Sequence, residues 1–423
     1  MHHSLSSSPQ AEASPGQNVQ HVTETTCCIV GGGPAGAILA LLLARKAVPV
    51  ILLEAHKDFE REFRADTIHP ATMELLEKLG IVDSLLQMPH TKMKGMKFIT
   101  DRGKNSFTIA DFSRLRTRYP YLMMLPQARF LELVTQEAER YPNFQLVMGA
   151  RVEQLIEEDG AIRGVLYRGS DGLCEVRALL TVGADGRFSR TRQQAQMEMM
   201  TLSAPLEMLW FNLPRKPADP DAAGALHLEP GRFAFMLDRD THWQVGFAIA
   251  PGSYQQIRAQ GIENLRLSIP EIIPWLADRI DTLQDWKQVT LLSVQASRLH
   301  QWYRPGLLFI GDAAHTMNPV GGFGINLAVQ DAVATANILT QPLKEGKVQV
   351  TELAKVQRER ELPTKIIQKI QTKLQGKIHS QALDTDKPVQ MPPFVRIIRS
   401  LPVLRNVQPH LVAFGIRTTR LKL

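Results

Sequence analysis

Apolar and polar positions alternate along this chain in runs that mark out its elements. Cys27 to Val30 is an apolar, β-favouring run that leads into Gly31-Gly32-Gly33-Pro34-Ala35-Gly36 and then into the apolar helical stretch Ala37 to Ala44. This reads as strand, tight glycine turn, helix. A second strand, Val48 to Leu53, ends at Glu54. His69 to Leu79 has helical spacing and stops at Gly80, a sensible C-cap. Met96 to Thr100 and Phe107 to Ala110 read as short strands around the turn Asp101-Arg102-Gly103. Pro126 opens a helix that reaches Arg140, and a strand follows at Phe144 to Val147. From Arg151 to Leu180 three strand-like runs are broken at Asp159-Gly160 and Asp171-Gly172, the pattern of a β-meander. A strand at Leu179 to Val182 then enters Gly183-Ala184-Asp185-Gly186, with a helical start near Ser189.

The next part changes character. Pro205 to Leu213, Arg232 to Leu237 and Trp243 to Ala250 are strand-like and rich in aromatics and Met, and two helices are predicted before residue 280. Leu307 to Ile310 returns to the pattern of a buried parallel strand, and Gly324 to Leu339 to that of a helix. A nucleotide fold interrupted by a sheet-rich insertion explains this order, because the strand at Leu307 would otherwise lack parallel neighbours. No repeat is visible, and low complexity is confined to residues 1–22, which read as a disordered leader without the apolar core of a secretion signal.

Composition narrows the class. At 423 residues the chain exceeds one ordinary core, and 44% hydrophobic with 22% charged residues describes a soluble globular protein. The longest apolar stretch, Ala35 to Ala44, is stopped by Arg45 and falls short of the roughly 20 residues that span a bilayer. Three cysteines make no disulfide framework, and Cys27-Cys28 lacks redox spacing, so a reducing cytoplasm is the expected compartment. The net charge is uneven: residues 341–423 hold 16 Lys or Arg against 6 Asp or Glu, so that of the total of +7 this segment contributes +10 and the rest −3. Phe394 to Leu404 places Arg396 and Arg399 on one face of an apolar helix, a pattern that admits weak contact with a membrane surface. Docking onto the body of the protein is the preferred reading, and no aromatic-interleaved basic patch suggests nucleic acid.

The chemistry gathers in two places. Gly31, Gly33 and Gly36 match GxGxxG, which lets a pyrophosphate sit on free backbone N–H groups at a helix N-terminus. Glu54 lies 21 residues past Gly33, the spacing of an acid that accepts from an adenosine ribose hydroxyl. The stretch Gly311 to Asn326 joins the carboxylate of Asp312, Pro319 and the pair Gly322 and Gly324 to a helix start. Asp312 can bond a ribityl hydroxyl or cap its own turn. The glycines admit close approach of a flat ring, and the helix dipole favours negative charge there, as on a reduced flavin.

These motifs, with Gly183-Ala184-Asp185-Gly186 between them, resemble those of the flavoprotein monooxygenases of the aromatic-hydroxylase type, the para-hydroxybenzoate hydroxylase superfamily, over residues 24–345. The resemblance implies an α/β chain with a Rossmann-like FAD/NAD(P)-binding fold, an inserted β-sheet substrate domain and a C-terminal helical segment. The expected division is an FAD-binding domain at 23–95, 122–200 and 290–345, a substrate domain at 96–121 and 201–289, and a basic helical region at 346–423. It further implies bound FAD, transient NADH or NADPH, and O2 that reacts through a flavin C4a-hydroperoxide to hydroxylate or epoxidise a small molecule. Residues matched to cofactor binding are Gly31, Gly33, Gly36, Glu54, Arg64, Gln127, Asp185, Asp312, Pro319, Gly322, Gly324 and the helix-starting Ile325 and Asn326. Ala55 stands where many relatives have Arg, and Phe323 replaces a frequent Gln, which would make the ring's surroundings drier.

Rival functions remain. A reductase or dehydrogenase of an isoprenoid or lipid-like substrate shares the scaffold, a halogenase would carry a WxWxIP motif that is absent, and a flavin-binding sensor would need no turnover. Met208, Trp210, Phe233, Phe235, Met236 and Phe247 suggest either an apolar cavity or a domain core. As a cavity they would take a hydrophobic aromatic, polyketide or terpenoid compound. His69, His227, His242 and His315 offer bases, none of which merits a catalytic assignment from sequence, and no metal site is expected.

Overall fold

A computed structural model of the protein describes residues 19–60, 67–220, 224–383 and 407–422. Five parallel strands form its centre: β1 (His21–Val30), β2 (Val50–Glu54), β3 (Phe144–Met148), β4 (Gly172–Gly183) and β5 (Leu307–Phe309). Their spatial order is β3-β2-β1-β4-β5, the doubly wound arrangement that leaves a crevice at the carboxyl ends of its middle strands. All five residues of β2 and all three of β5 are buried, which is why they read as unbroken apolar runs. Helix α1 (Pro34–Arg45) is buried from Ala35 to Ala44, apolar on every side because the sheet, the helix Gln127–Glu139 and a later helix enclose it. The other helices used below are α2 (Pro70–Lys78), α3 (Phe323–Lys344), α4 (Val350–Leu383) and α5 (Val407–Phe414).

Several expectations shift. β1 begins at His21, inside the expected leader, because His21 already pairs with Cys174 of β4. The expected short strand at Leu179 is the end of the 12-residue β4, whose first half pairs antiparallel with Ala161–Gly169 and whose second half lies parallel to β5. Helix α3 runs beyond Leu339, through Pro342 to Lys344.

The inserted sheet has seven strands. Their order is Thr290–Val294, Leu206–Pro214, His242–Ile249, Arg232–Asp238, Gly224–Glu229, Gly95–Thr100 and Asn105–Asp111. Thr290–Val294 was expected in the FAD-binding part; its pairing with Leu206–Trp210 puts it on the edge of this second sheet instead. Gly224–Glu229 has no counterpart in the sequence reading, since it is buried on both faces and shows no alternation. One face of the sheet packs on Ile262–Ile272 and the turns after it. The other carries a separate apolar cluster that includes Val320 of the loop before α3. Among the described residues no helix is long and apolar enough to cross a membrane.

The described part of the C-terminal tail docks on the protein. Ala413 is fully buried beside Met93, Phe112 and Met124, and Asn337 of α3 bonds the Arg420 carbonyl and the Lys422 amide. The stretch Phe394 to Leu404 lies outside the described residues.

Candidate functional site

The parallel register brings the sequence motifs side by side. Val30 pairs with Leu53 on one side and Gly183 on the other, and Gly183 pairs with Phe309. Glu54, Gly31, Asp185 and Asp312 therefore all leave the sheet at its carboxyl edge, from β2, β1, β4 and β5 in spatial sequence. Backbone bonds carry the alignment past the strand ends: the Gly31 N–H donates to the Leu53 carbonyl at 2.7 Å and the Ala184 N–H to the Val30 carbonyl at 2.7 Å.

The glycines divide into two kinds. At Gly31, where φ is +106°, a Cβ would stand 2.5 Å from the Ala184 carbonyl oxygen, and at Gly36 one would stand 2.0 Å from the Gly31 oxygen. Those two are required by the fold. At Gly33 and Gly324 a Cβ would meet nothing within 4 Å, so these positions face open space beside helix N-termini, room that fits a pyrophosphate and a flat ring. Glu54, 8% exposed, holds the loop from the other side. Its Oε2 accepts the Gly32 N–H at 2.8 Å and its Oε1 the His56 N–H at 3.0 Å.

Asp185 is occupied locally. It accepts the Ser189 hydroxyl at 2.5 Å and the Thr191 N–H at 3.1 Å, while Ser189 Oγ caps the Arg192 N–H. Buried Arg192 donates to the Ala313 carbonyl at 2.9 Å and so ties this turn to the Asp312 loop. Burial lowers its pKa against the opposing pull of Asp185. Gln127 opens the helix beside α1, and Arg64 lies outside the described residues.

The Asp312 loop rests on a buried charge cluster that sequence reasoning missed. Asp331, in the middle of α3, accepts the Gly311 N–H at 3.0 Å, His315 Nε2 at 2.6 Å and Arg360 Nε of α4 at 2.9 Å. Burial pushes the Asp331 carboxyl up, but His315 and Arg360 outweigh it and hold the group below its ordinary range. Trp302 lies against the His315 ring, 4.9 Å between centroids. The one signal available in sequence was an Asp inside the apolar stretch Leu327 to Ala336.

Pro319 to Asn326 forms the opposite wall. Gly321 and Gly322 have φ of +82° and +64°, and Gly322 is the N-cap of α3. Asn326 Oδ1 accepts the Thr72 hydroxyl at 3.2 Å, whereas its buried Nδ2 has no partner among the described residues, a donor suited to a polar group of a bound ligand. Ile325 beside it is buried. Phe323 is buried with Met317, Leu327 and Ile367 of α4, and its ring centroid lies 5.9 Å from that of His69. His69 is fully buried at the N-cap of α2, where Nδ1 bonds the Val412 carbonyl of α5 at 2.6 Å, and burial lowers its pKa to about 4.

The aromatic strands face two ways. Met208, Trp210, Phe233 and Phe235 share the face that meets Val320, with Phe98, Leu226 and Leu228. Met236 and Phe247 belong to the opposite face, in the helix-packed core. His227 alternates with Leu226 and Leu228 and so points away from Val320; burial lowers its pKa to about 4. His242 begins its strand opposite Pro214, at the end remote from Ala248.

Comparison with known proteins agrees with this arrangement. The family described as FAD binding domain matches residues 24–368. The chain is 32% identical over 406 residues to 6-methylpretetramide 4-monooxygenase of Streptomyces rimosus, covering 94% of each chain. It is 27% identical over 327 residues to para-nitrophenol 4-monooxygenase of Pseudomonas sp. (strain WBC-3), covering 75% of this chain and 78% of that one. The crystal structure of p-nitrophenol 4-monooxygenase PnpA from Pseudomonas putida DLL-E4 shares the fold, with a TM-score of 0.73 at 20% identity, over 94% of this chain and all of that one. These relatives are monooxygenases, and the reductase alternative is set aside.

Proposed function

We propose, from the premise that this chain belongs to the FAD binding domain family and is an FAD-dependent monooxygenase, that it inserts one atom of O2 into a hydrophobic aromatic or polyketide-type molecule, with NADH or NADPH as a transient donor. The observation that carries the substrate class is the sheet face of Met208, Trp210, Phe233 and Phe235, which meets Val320 in the loop ahead of α3. Such a face binds flat apolar bodies and excludes water. The named relatives act on a pretetramide and on a nitrophenol, compounds of that kind.

In this reading Gly31 to Gly33 and the N-terminus of α1 hold the FAD pyrophosphate, Glu54 an adenosine ribose hydroxyl and Asp312 a ribityl hydroxyl. Pro319, Gly322, Gly324, Ile325 and Asn326 border the ring, and Gln127, Asp185 and Arg64 complete the set. Bound FAD supplies electron storage and the activation of O2. The protein supplies position and field. The N-terminus of α3 would offer partial positive charge to the bound ring, and the Asp331 cluster fixes the Asp312 loop against that helix.

His227 points away from the face that meets Val320 and His242 stands at the end of that face remote from Ala248, so in this reading the electron richness of the acceptor comes from the substrate's own hydroxyl or amino groups. The FAD-loaded protein should therefore turn over phenolic and polyphenolic polycycles in preference to unsubstituted arenes. Incubation with NADPH and isotopically labelled O2, followed by mass spectrometry, tests both claims. Label in the product supports the reaction, whereas donor consumption that yields only hydrogen peroxide across such a panel refutes the substrate class.

A further inference from the structure

A groove separate from the flavin-facing edge runs between α2, residues 114–116 and the C-terminal segment 407–421, with a volume of about 880 Å³. Its floor is apolar: Leu75 of α2, Leu115, and Leu411 and Phe414 of α5. Its rim is cationic, formed by Lys78, Arg116 and Arg420, all exposed. Among the described residues none of these three side chains has an ion-pair partner. The remaining lining charges are engaged, since Glu74 accepts the Thr117 hydroxyl at 2.8 Å and Arg114 pairs with Asp111 at 2.8 Å. Unpaired cations around an apolar floor of ligand size call for an anion attached to an apolar body. The chain's own residues 384–406 are poor candidates by charge, with four Lys or Arg against two Asp.

We infer that this groove binds a soluble amphipathic carboxylate, its apolar body on Leu75, Leu115 and Phe414 and its carboxylate on the Lys78, Arg116 and Arg420 rim. Helix α5 is shared with the flavin wall. Its opposite side buries Ala413, and its Val412 carbonyl holds His69 beside Gly322. A ligand seated on Leu411 and Phe414 therefore bears on the helix that positions His69.

The test is titration calorimetry of the FAD-loaded full chain with dodecanoate below its micellar concentration. Saturable binding of one molecule per chain is expected, weakened about tenfold or more by the double change Lys78→Glu and Arg116→Glu and by replacement of the ligand with neutral dodecanol. Both changed side chains are exposed, and an unaltered flavin spectrum and unfolding midpoint report intact folding. Should the double variant lose FAD, Arg420→Glu carries the same comparison. Absence of saturable binding, equal affinity for dodecanol, or affinity untouched by charge reversal overturns the inference. So does association with anionic lipid vesicles but not with free dodecanoate, which would make the rim a membrane contact.

Discussion

His227→Leu separates a buried structural histidine from a catalytic one. His227 is 3% exposed, both ring nitrogens lack hydrogen-bond partners among the described residues, and burial lowers its pKa to about 4. An unfolded histidine titrates near ~6.5, so between that value and ~4 the unfolded chain takes up a proton that the folded chain refuses. Its contribution to stability is thus intact above ~6.5 and is lost progressively as pH falls toward ~4. Between pH 7.5 and pH 5 the loss is about 2 kcal/mol, from about 1.4 kcal/mol per unit over roughly 1.5 units. His69 titrates alike in parent and variant and cancels from the comparison. Leucine also removes two unsatisfied buried nitrogens, a gain of about 1–3 kcal/mol at every pH. Urea unfolding followed by tryptophan fluorescence is the assay, since Trp210, Trp243, Trp275 and Trp286, four of the five tryptophans, lie in the inserted sheet and the helical turns packed on it. The stability difference between variant and parent should be larger at pH 5 by about 2 kcal/mol, with product formation retained. An equal difference at both pH values refutes the titration argument. Loss of product formation by a folded, FAD-loaded variant refutes the placement of His227 away from substrate.

Three further outcomes follow from the site. Arg360→Met leaves the Asp331 carboxylate buried with only the Gly311 N–H and His315 Nε2 as partners among the described residues, and should cost about 3–5 kcal/mol, read as a lower unfolding midpoint together with faster FAD loss. Gly36→Ala drives a Cβ into the Gly31 carbonyl and should impair folding, whereas Gly33→Leu, placed in open space, should fold with an unchanged circular dichroism spectrum yet bind FAD at least about tenfold more weakly. Glu54→Gln keeps one acceptor oxygen but turns an NH2 on the Gly32 or the His56 N–H at a position proposed to meet the ribose; FAD titration should show about tenfold weaker binding, and the apoprotein should lose about 1–3 kcal/mol, read as a lower unfolding midpoint.

Much of this fold was legible because burial leaves a mark on sequence. The end of β1, Cys27–Val30, and the whole of β2 are covered on both faces and read as apolar runs, and the strand, glycine turn and helix at Gly31 can be satisfied in few ways. Positions whose neighbours come from remote parts of the chain were not legible. Gly224–Glu229 looks featureless until strands on both sides and layers on both faces are present. Asp331 reads as a flaw in an apolar helix until Arg360 and His315 arrive beside it. The aromatic residues of the insertion could be named but not sorted, because which face meets Val320 depends on strand register. The surroundings of Phe323 were illegible for a similar reason: His69, Met317 and Ile367, which pack about it, come from separate parts of the chain.

The order of the strands also sets a timetable. The proposed flavin-facing edge draws on Gly31, Glu54, Asp185 and Asp312, so the ribosome completes the glycine loop long before the strand that carries Asp312. At about 5–20 residues per second, roughly 15–55 s separate the two. During that interval β1 lacks its neighbour β4 and then β4 lacks β5, each an open sheet edge exposed to a stray strand. In the proposed site FAD meets its full set of contacts only once α3 has emerged. Cofactor supply during expression should therefore rescue finished chains more than growing ones, and chaperone capacity should govern how many are finished.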